Sequence, residues 1–324
     1  MTRLRGWVIG VLGGLLSVFL IAVLMGFIGT ELRRTRTLGS QRGLRIVCTT
    51  YPVWLMTKAV VEGVREVRVE RLLPAQAGCP HEYTVTVQDM QQLSRADVLV
   101  CNGLGLDEAI VEVFKKQRPN RPVVDASKGI PGLIRSALPE YAEHALAEQT
   151  TYNPHLFASP FQAAKMLGRI ADGLGRVDAR HSAAYHRNAE RWAREYRQAG
   201  EELRAVAESL ENRAIITQHG AFDYFARDIG LEIAGVITAH PGEDPSASEV
   251  LELVRTVRQR HVGAVFTEPQ YSSAIGTTVA READIPHGIL DPVATGPNEA
   301  SPDYYVRVMR QNGETLRKIL GSER

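Results

Sequence analysis

The sequence predicts an α/β protein with two similar lobes, each a mostly parallel sheet flanked by helices. Short β-branched runs alternate with amphipathic, helix-like stretches, which is typical of βαβ units and a parallel sheet. This alternation occurs twice, and one long charged stretch without proline separates the two blocks. The chain has 324 residues, of which 44% are hydrophobic, so it is long enough to form two lobes of ordinary size.

The first 44 residues are predicted to be a membrane anchor followed by a basic linker. Gly6–Thr30 is a run of twenty-five uncharged residues, whereas a helix needs only about 20 to cross the hydrocarbon of a bilayer. Because no small-residue cleavage pattern and no cysteine for lipid attachment follow it, we expect the anchor to stay uncleaved. Five arginines after the run favour a cytoplasmic carboxyl side by the positive-inside rule: Arg33, Arg34, Arg36, Arg42 and Arg45.

The first lobe is predicted over residues 45–177 and the second over residues 212–324. Helix starts are marked by capping boxes at Thr86 with Asp89 and at Ser246 with Glu249, and by Ser159 before Pro160. The predicted strands of the first lobe are Arg45–Thr49, Val67–Leu73, Asp97–Cys101 and Pro122–Asp125. Those of the second lobe are Arg213–Gln218, Leu231–Ile237, Val262–Thr267 and Ile285–Leu290.

Residues 178–211 are predicted to form one long helix that joins the two lobes. Asp178 to Leu210 contains no proline, and its Glu and Arg residues can pair along the helix faces. A helix of that span is roughly 50 Å long at about 1.5 Å per residue. The positions that would form a coiled-coil seam are too polar, so we expect a rigid connecting helix.

Charge and motifs exclude several classes of function. The net charge is +1, so the chain has no excess of cations with which to bind nucleic acid. The Gly103-Leu-Gly105 turn lacks a third glycine and is followed by two acids, which argues against a dinucleotide site. No serine-nucleophile elbow, Walker loop or zinc-protease motif occurs. Nucleophilic and zinc-protease mechanisms therefore lack their usual residues in this sequence.

Four candidate metal ligands follow strands or lie in loops between the lobes, where open α/β sheets bind ligands. Two come from each half: His81, His155, His219 and Asp291. Three imidazoles and one carboxylate suit a tetrahedral ion such as Zn²⁺. Each histidine taken singly is still more typical of a solvated or capping residue, since no paired-ligand spacing occurs.

Several motifs, taken in order, resemble those of the periplasmic solute-binding proteins of ABC importers for zinc and manganese, receptors with a helical backbone. They include residues 73–84 and 96–107, Asn153-Pro-His155, Gln218-His219-Gly, Glu268-Pro-Gln270 and Leu290-Asp291-Pro. The resemblance implies a two-lobed monomer that binds one divalent ion in the cleft through His81, His155, His219 and Asp291. It also implies an extracytoplasmic location, here tethered by Gly6–Thr30, and delivery of the ion to an ABC importer permease of the cytoplasmic membrane. We therefore expect that the chain captures a metal ion and is not an enzyme.

Zinc is the metal that the resemblance favours, because relatives choosing manganese or iron have a glutamate at the position of His219. A Mn²⁺ or Fe²⁺ receptor is the alternative, and a membrane-anchored zinc hydrolase with Asp291 or Glu82 as general base is the rival from another class. Glu268 is expected to orient an imidazole or to bond across the lobes.

The sequence departs from the family pattern at three acidic positions, which hold Cys79, Asn153 and Ser159 instead. Cys79 could join the ligands as a thiolate. Cys48 and Cys101 end neighbouring predicted strands, and either a disulfide between them or two buried free thiols fits that placement.

Overall fold

The computed structural model of the protein describes residues 43–77, 83–135, 152–238 and 245–321. The predicted anchor Gly6–Thr30 lies outside these ranges, and so do Cys79, His81 and Glu82. Within these ranges, no helix combines the length and the apolar character that crossing a membrane requires.

The first sheet contains four strands in the order β2-β1-β3-β4. β3 pairs in parallel with both β1 and β4. β3 is buried along its whole length because helices cover both faces, which is why its sequence is a continuous apolar run. The strands are β1 (Leu44–Cys48), β2 (Val67–Arg71), β3 (Val98–Cys101) and β4 (Val123–Asp125), and the helices between them are α1 (Tyr51–Val60), α2 (Val87–Arg95) and α3 (Glu108–Gln117).

Two long helices follow the first sheet: α4 (Pro160–Val177) and α5 (Ser182–Glu208). The helix joining the two lobes was predicted over residues 178–211. The observed helix, α5, is shorter, and its 27 residues span about 40 Å. It begins at Ser182 because the Asp178 carboxylate holds a turn before it. That carboxylate lies 2.6 Å from Nδ1 of His181 and accepts a hydrogen bond from the Tyr185 hydroxyl at 3.1 Å.

The second sheet repeats the topology of the first, with strand order β6-β5-β7-β8. β5 pairs in parallel with β6 and β7, and β7 pairs in parallel with β8. All eight strands overlap the predicted runs, so the α/β class with two parallel sheets is confirmed. The elements are β5 (Ala214–Thr217), α6 (Asp223–Ile229), β6 (Glu232–Val236), α7 (Ala247–Gln259), β7 (Ala264–Thr267), α8 (Ala274–Ala283), β8 (His287–Ile289) and α9 (Tyr304–Leu320).

Helix α5 contacts elements from both halves of the chain. Asn188 on α5 donates to the carbonyl of Val60 at the end of α1. Further along α5, the Tyr196 ring stacks on Tyr305 of α9 with 4.1 Å between ring centroids. By its contacts Arg45–Arg324 forms one compact unit, and the lobe boundaries at 45–177, 178–211 and 212–324 stay a prediction.

The segment 296–300, which follows β8, packs on the first half of the chain. Three side chains of that half donate hydrogen bonds to it. Lys58 donates to the Ala300 carbonyl at 2.6 Å, Arg71 to Asn298 at 3.3 Å and Gln76 to the Gly296 carbonyl at 3.3 Å. A Cβ on Gly296 would lie 2.3 Å from the Tyr51 hydroxyl, so this close approach requires glycine.

The cysteines of the first sheet are free, buried thiols. Cys48 is the register partner of Val100, the residue before Cys101. Because successive side chains of a strand point to opposite faces, Cys48 and Cys101 lie on opposite sides of the sheet. Of the two arrangements considered from the sequence, a disulfide or two buried free thiols, the structure has the free thiols.

The loops after β1 and β3 are joined by a buried carboxylate, that of Asp107. It accepts hydrogen bonds from the Thr49 hydroxyl at 2.5 Å and from the backbone N–H groups of Asn102 at 2.6 Å and Gly103 at 3.1 Å. Burial raises the pKa of Asp107 to about 6, although these three hydrogen bonds act to lower it.

Replacing Asp107 with asparagine is expected to destabilise the protein more at pH 4.5 than at pH 7.5. The folded-state pKa of about 6 exceeds the ordinary value of 3.8. Raising the pH from 4.5 to 7.5 therefore lowers the wild-type free energy of unfolding by about 2 kcal/mol through this carboxyl group. The Asp107→Asn variant does not titrate there, and its amide leaves one N–H donor facing another, which costs about 1–3 kcal/mol at either pH.

The free energy of unfolding in urea, measured for both proteins at the two pH values, tests this expectation. Glu252→Gln, at an exposed carboxylate on the helix Ala247–Gln259, is the control and should change little. An equal destabilisation by Asp107→Asn at both pH values would show that Asp107 is ionised throughout.

Candidate functional site

Two of the predicted ligands, His155 and His219, meet in the folded protein. Their ring centroids are 5.1 Å apart and the rings stand nearly perpendicular, at 83°. Both residues are buried, with 1% and 2% of their surface exposed. His155 precedes the short 3₁₀ turn Leu156–Ala158, and His219 precedes the turn Gly220–Phe222. Residues 64 positions apart in the sequence therefore share one buried location.

The strand order explains why polar residues collect at the end of the second sheet. The chain leaves β5 toward β6 on one side, whereas β7 lies on the other side, so the carboxyl ends of β5 and β7 flank a switch point. Ligands of open α/β sheets bind at such points. His219 comes two residues after β5, Glu268 directly follows β7, and Asp291 comes two residues after β8.

His219 is bordered by a fixed carboxylate. Its Nδ1 lies 2.6 Å from Oε1 of Glu268, and the other oxygen of Glu268 accepts a hydrogen bond from Gln270 at 2.6 Å. The His219–Glu268 contact has the distance of an ion pair but not the angles of a hydrogen bond. Among the described residues, neither ring nitrogen of His219 has a hydrogen-bond partner. Glu268 therefore lies beside the imidazole that it is expected to orient, and Nε2 of His219 is a buried nitrogen with no hydrogen bond to any described residue.

His155 is held by the side chain of Asn153. Oδ1 of Asn153 accepts from the backbone N–H of His155 at 2.9 Å and lies 2.8 Å from its Nδ1. From the sequence, Asn153 was expected only to be a departure from the family pattern, and its contact with His155 was not predicted. The sequence contains a signal for this contact, namely the two-residue separation of Asn153 and His155. Asparagine side chains commonly accept a hydrogen bond from the backbone N–H two residues later.

Asp291 lies near Glu268 and Tyr51. Burial, with a smaller contribution from the negative charge of Glu268, raises the pKa of Asp291 to about 6, although the hydrogen bond from the backbone N–H of Val293 acts to lower it. Asp291 in turn contributes to the raised pKa of Tyr51, which is due first to burial and then to Tyr304. Asn312 on α9 fixes the backbone of Asp291, accepting from its N–H at 3.0 Å and donating to its carbonyl at 2.8 Å.

The complete four-ligand set is not brought together by the residues that the structure describes. Across these ranges, no group of three or more His, Cys, Asp or Glu side chains is arranged to hold a metal ion. His155 and His219 are adjacent, Asp291 is within electrostatic reach of Glu268, and His81 belongs to the undescribed residues 78–82. The ligand set therefore stays a prediction. Two other histidines, His181 and His186, pair with Asp178 and Asp172.

Known proteins of related sequence align with most of this chain. ZnuA of Bacillus subtilis, a high-affinity zinc uptake system protein, is 27% identical over 290 residues, which cover 86% of this chain and 88% of ZnuA. The zinc-binding protein AdcA of Streptococcus pyogenes serotype M6 is 24% identical over 318 residues, or 94% of this chain. The chain spans about 60% of the length of AdcA.

Solved structures agree with this relationship. The solute-binding protein FpvC of Pseudomonas aeruginosa, in complex with Mn²⁺, has a TM-score of 0.71 at 27% identity, covering 86% of this chain and 98% of FpvC. A ZnuA crystal structure, 24% identical with a TM-score of 0.72, covers 86% of this chain and 99% of that one and shares the fold.

The family comparison covers most of the chain. The profile of the family described as ZnuA, zinc-uptake complex component A, periplasmic, matches residues 46–319. That description is of a transport component, in agreement with the prediction that the chain is not an enzyme. Since the match includes well over half of the 324 residues, this chain belongs to the ZnuA family of periplasmic zinc-uptake components.

Proposed function

We propose that this protein captures a divalent transition metal ion, preferentially Zn²⁺, outside the cytoplasm and delivers it to the permease of an ABC importer. The observation that carries the proposal is the buried pair of imidazoles, His155 and His219, 5.1 Å apart. In each ring Nδ1 lies beside an oxygen, of Asn153 or of Glu268, at 2.8 and 2.6 Å. Zinc-binding histidines commonly hold their second nitrogen in this way.

The proposed ligands are His81, His155, His219 and Asp291. Asp291 and His219 follow strands of the second sheet, and His155, in the loop before α4, lies beside His219. Three imidazoles and a carboxylate fill a tetrahedral zinc shell. An ion held by four protein ligands has no open position for activating water, so the site suits capture and release rather than hydrolysis.

The names of relatives support a transport role. ZnuA of Bacillus subtilis is a zinc uptake system protein and AdcA of Streptococcus pyogenes is a zinc-binding protein. Gly6–Thr30 would anchor the receptor, a monomer, on the extracytoplasmic side of the cytoplasmic membrane. Docking to the permease would then occur at the same membrane surface.

A manganese receptor is the second candidate, because FpvC, which is 27% identical, has been solved with Mn²⁺. The donor set decides between the two. Mn²⁺ prefers oxygen-rich shells, whereas imidazoles suit zinc. His219, buried beside Glu268, adds a nitrogen donor and favours zinc.

The full chain, purified in detergent without chelator, is expected to hold about one zinc ion per protein by elemental analysis. After removal of metal, the protein loaded with Co²⁺ as a spectroscopic substitute should show the intense visible absorption of a four-coordinate site, because three imidazoles and one carboxylate are proposed as ligands. The weak absorption of a six-coordinate, oxygen-rich site would favour the second candidate. No binding of either metal would refute the proposed function.

A further inference from the structure

We propose that Asn153 is a positioning residue that sets the placement of the two imidazoles of the site relative to each other. The inference rests on the proposed function for its metal-binding consequence, but its structural part concerns the metal-free protein. One side chain, buried with 4% of its surface exposed, contacts His155 on one side and the loop after His219 on the other.

The amide of Asn153 uses its full hydrogen-bonding capacity. Its oxygen accepts from the backbone N–H of His155 and lies 2.8 Å from Nδ1 of the same residue. Its nitrogen donates to the carbonyl of Gly220 at 2.7 Å and to the carboxylate of Asp223 at 2.8 Å. Gly220 directly follows His219, so a single planar group links the two histidine loops.

The backbone of this segment is fixed as well. The N–H of Asn153 donates to the Ile134 carbonyl at 2.9 Å, and its own carbonyl accepts from the Tyr224 hydroxyl at 2.9 Å. The next carbonyl, of Pro154, accepts from Asn102, the residue after β3, at 3.0 Å. The segment that carries His155 is thus connected to the carboxyl ends of both sheets.

Only an amide satisfies all of these neighbours. A carboxylate at position 153 could accept from His155, but it could not donate to Gly220, and it would stand about 2.8 Å from the Asp223 carboxylate. An apolar side chain would leave Nδ1 of His155 and the carbonyl of Gly220 without this partner. The amide oxygen also selects the His155 tautomer, because an acceptor beside Nδ1 keeps the proton there and leaves the lone pair on Nε2.

The tautomer of His155 in the metal-free full chain tests the structural part. Long-range ¹⁵N–¹H NMR correlations distinguish the two neutral tautomers. We expect the Nδ1–H form in the wild type and a shift toward the Nε2–H form in Asn153→Ala. Finding the Nε2–H form in the wild type would overturn the proposal without the use of any variant.

Zinc affinity, measured by competition with a chromogenic chelator, tests the consequence for binding. Asn153→Asp is expected to weaken zinc binding about 10- to 100-fold, as does the loss of groups that orient ligands elsewhere. Asn153→Asp combined with Asp223→Asn again places an amide opposite a carboxylate. This double variant should recover at least a third of the lost zinc affinity, measured as the logarithm of the dissociation constant. The melting temperatures of the single and double variants, measured alongside, show whether zinc affinity changes without a general loss of stability.

Asn188→Asp is the matched control. Asn188 is a half-buried asparagine whose amide, like that of Asn153, donates two hydrogen bonds, here to the carbonyls of Val60 and Glu62, but it lies on α5. This variant should lower the melting temperature and leave zinc affinity unchanged. Wild-type affinity in Asn153→Asp, or equal weakness of the single and double variants, would contradict the inference. Absence of zinc binding in the wild type would instead refute the proposed function, while the tautomer would still report on Asn153.

Discussion

Replacing His219 with alanine should weaken zinc binding at least about 100-fold. Loss of a group that merely orients a metal ligand costs about 10- to 100-fold, and His219 is proposed to bind the ion directly. Its Nε2 is buried and has no hydrogen-bond partner in the described part of the chain, so no other contact competes for that lone pair. Competitive titration of the metal-free full chain with Zn²⁺ measures the effect.

His155→Ala should have an effect of similar size, since its ring stands 5.1 Å from that of His219, and His81→Ala and Asp291→Ala test the remaining proposed ligands. His186→Ala is the control, because His186 lies on α5 beside Asp172 and is partly exposed. Near wild-type zinc affinity in both His155→Ala and His219→Ala would show that this imidazole pair does not bind the metal. The proposed ligand set would then be wrong.

Truncating Tyr305 to alanine should lower the free energy of unfolding by about 3–5 kcal/mol, the usual cost of removing a large buried aromatic ring. The Tyr305 side chain is fully buried, stacks on Tyr196 at 4.1 Å and donates a hydrogen bond to the Phe157 carbonyl at 2.7 Å. The ring joins α9 to α5, and its hydroxyl holds the 3₁₀ turn that follows His155. Urea unfolding monitored by circular dichroism measures the loss.

Tyr305→Phe separates the two contributions of this side chain. The variant keeps the stacked ring and removes one hydrogen bond, so it should cost about 1 kcal/mol, with an additional penalty for the unpaired Phe157 carbonyl. If Tyr305→Phe were as destabilising as Tyr305→Ala, the hydroxyl and not the stacking would dominate. Such a result would contradict the packing explanation.

The strands and the end of the sheet that carries the site could be predicted from the sequence because both depend on local patterns. Buried parallel strands require continuous apolar runs, and such runs are visible at Val98–Cys101 and Ala264–Thr267. Once a strand is located, the residue after it is located too, and in that way His219 and Asp291 were found. The capping boxes at Thr86 and Ser246 are likewise formed by residues three positions apart.

The parts that the sequence did not predict depend on partners distant in the chain. The bond from Asn153 to Asp223 joins residues 70 positions apart, so no local pattern contains it. The start of α5 was predicted too early because the sequence has no proline near residue 178. The Asp178 side chain ends the preceding helix instead, by bonding to His181 and Tyr185.

The packing of segment 296–300 on the first half of the chain has a consequence for how the protein folds. The hydrogen bonds of Lys58, Arg71 and Gln76 to this segment span 242, 227 and 220 residues of sequence. Closing loops of that length is entropically costly, and chains rich in such distant pairings fold slowly. While the ribosome is still synthesising the second half, Lys58, Arg71 and Gln76 lack these hydrogen-bond partners. The surface beside Tyr51 that Gly296 covers in the folded protein is expected to stay exposed, and open to aggregation, until residues 296–300 are available.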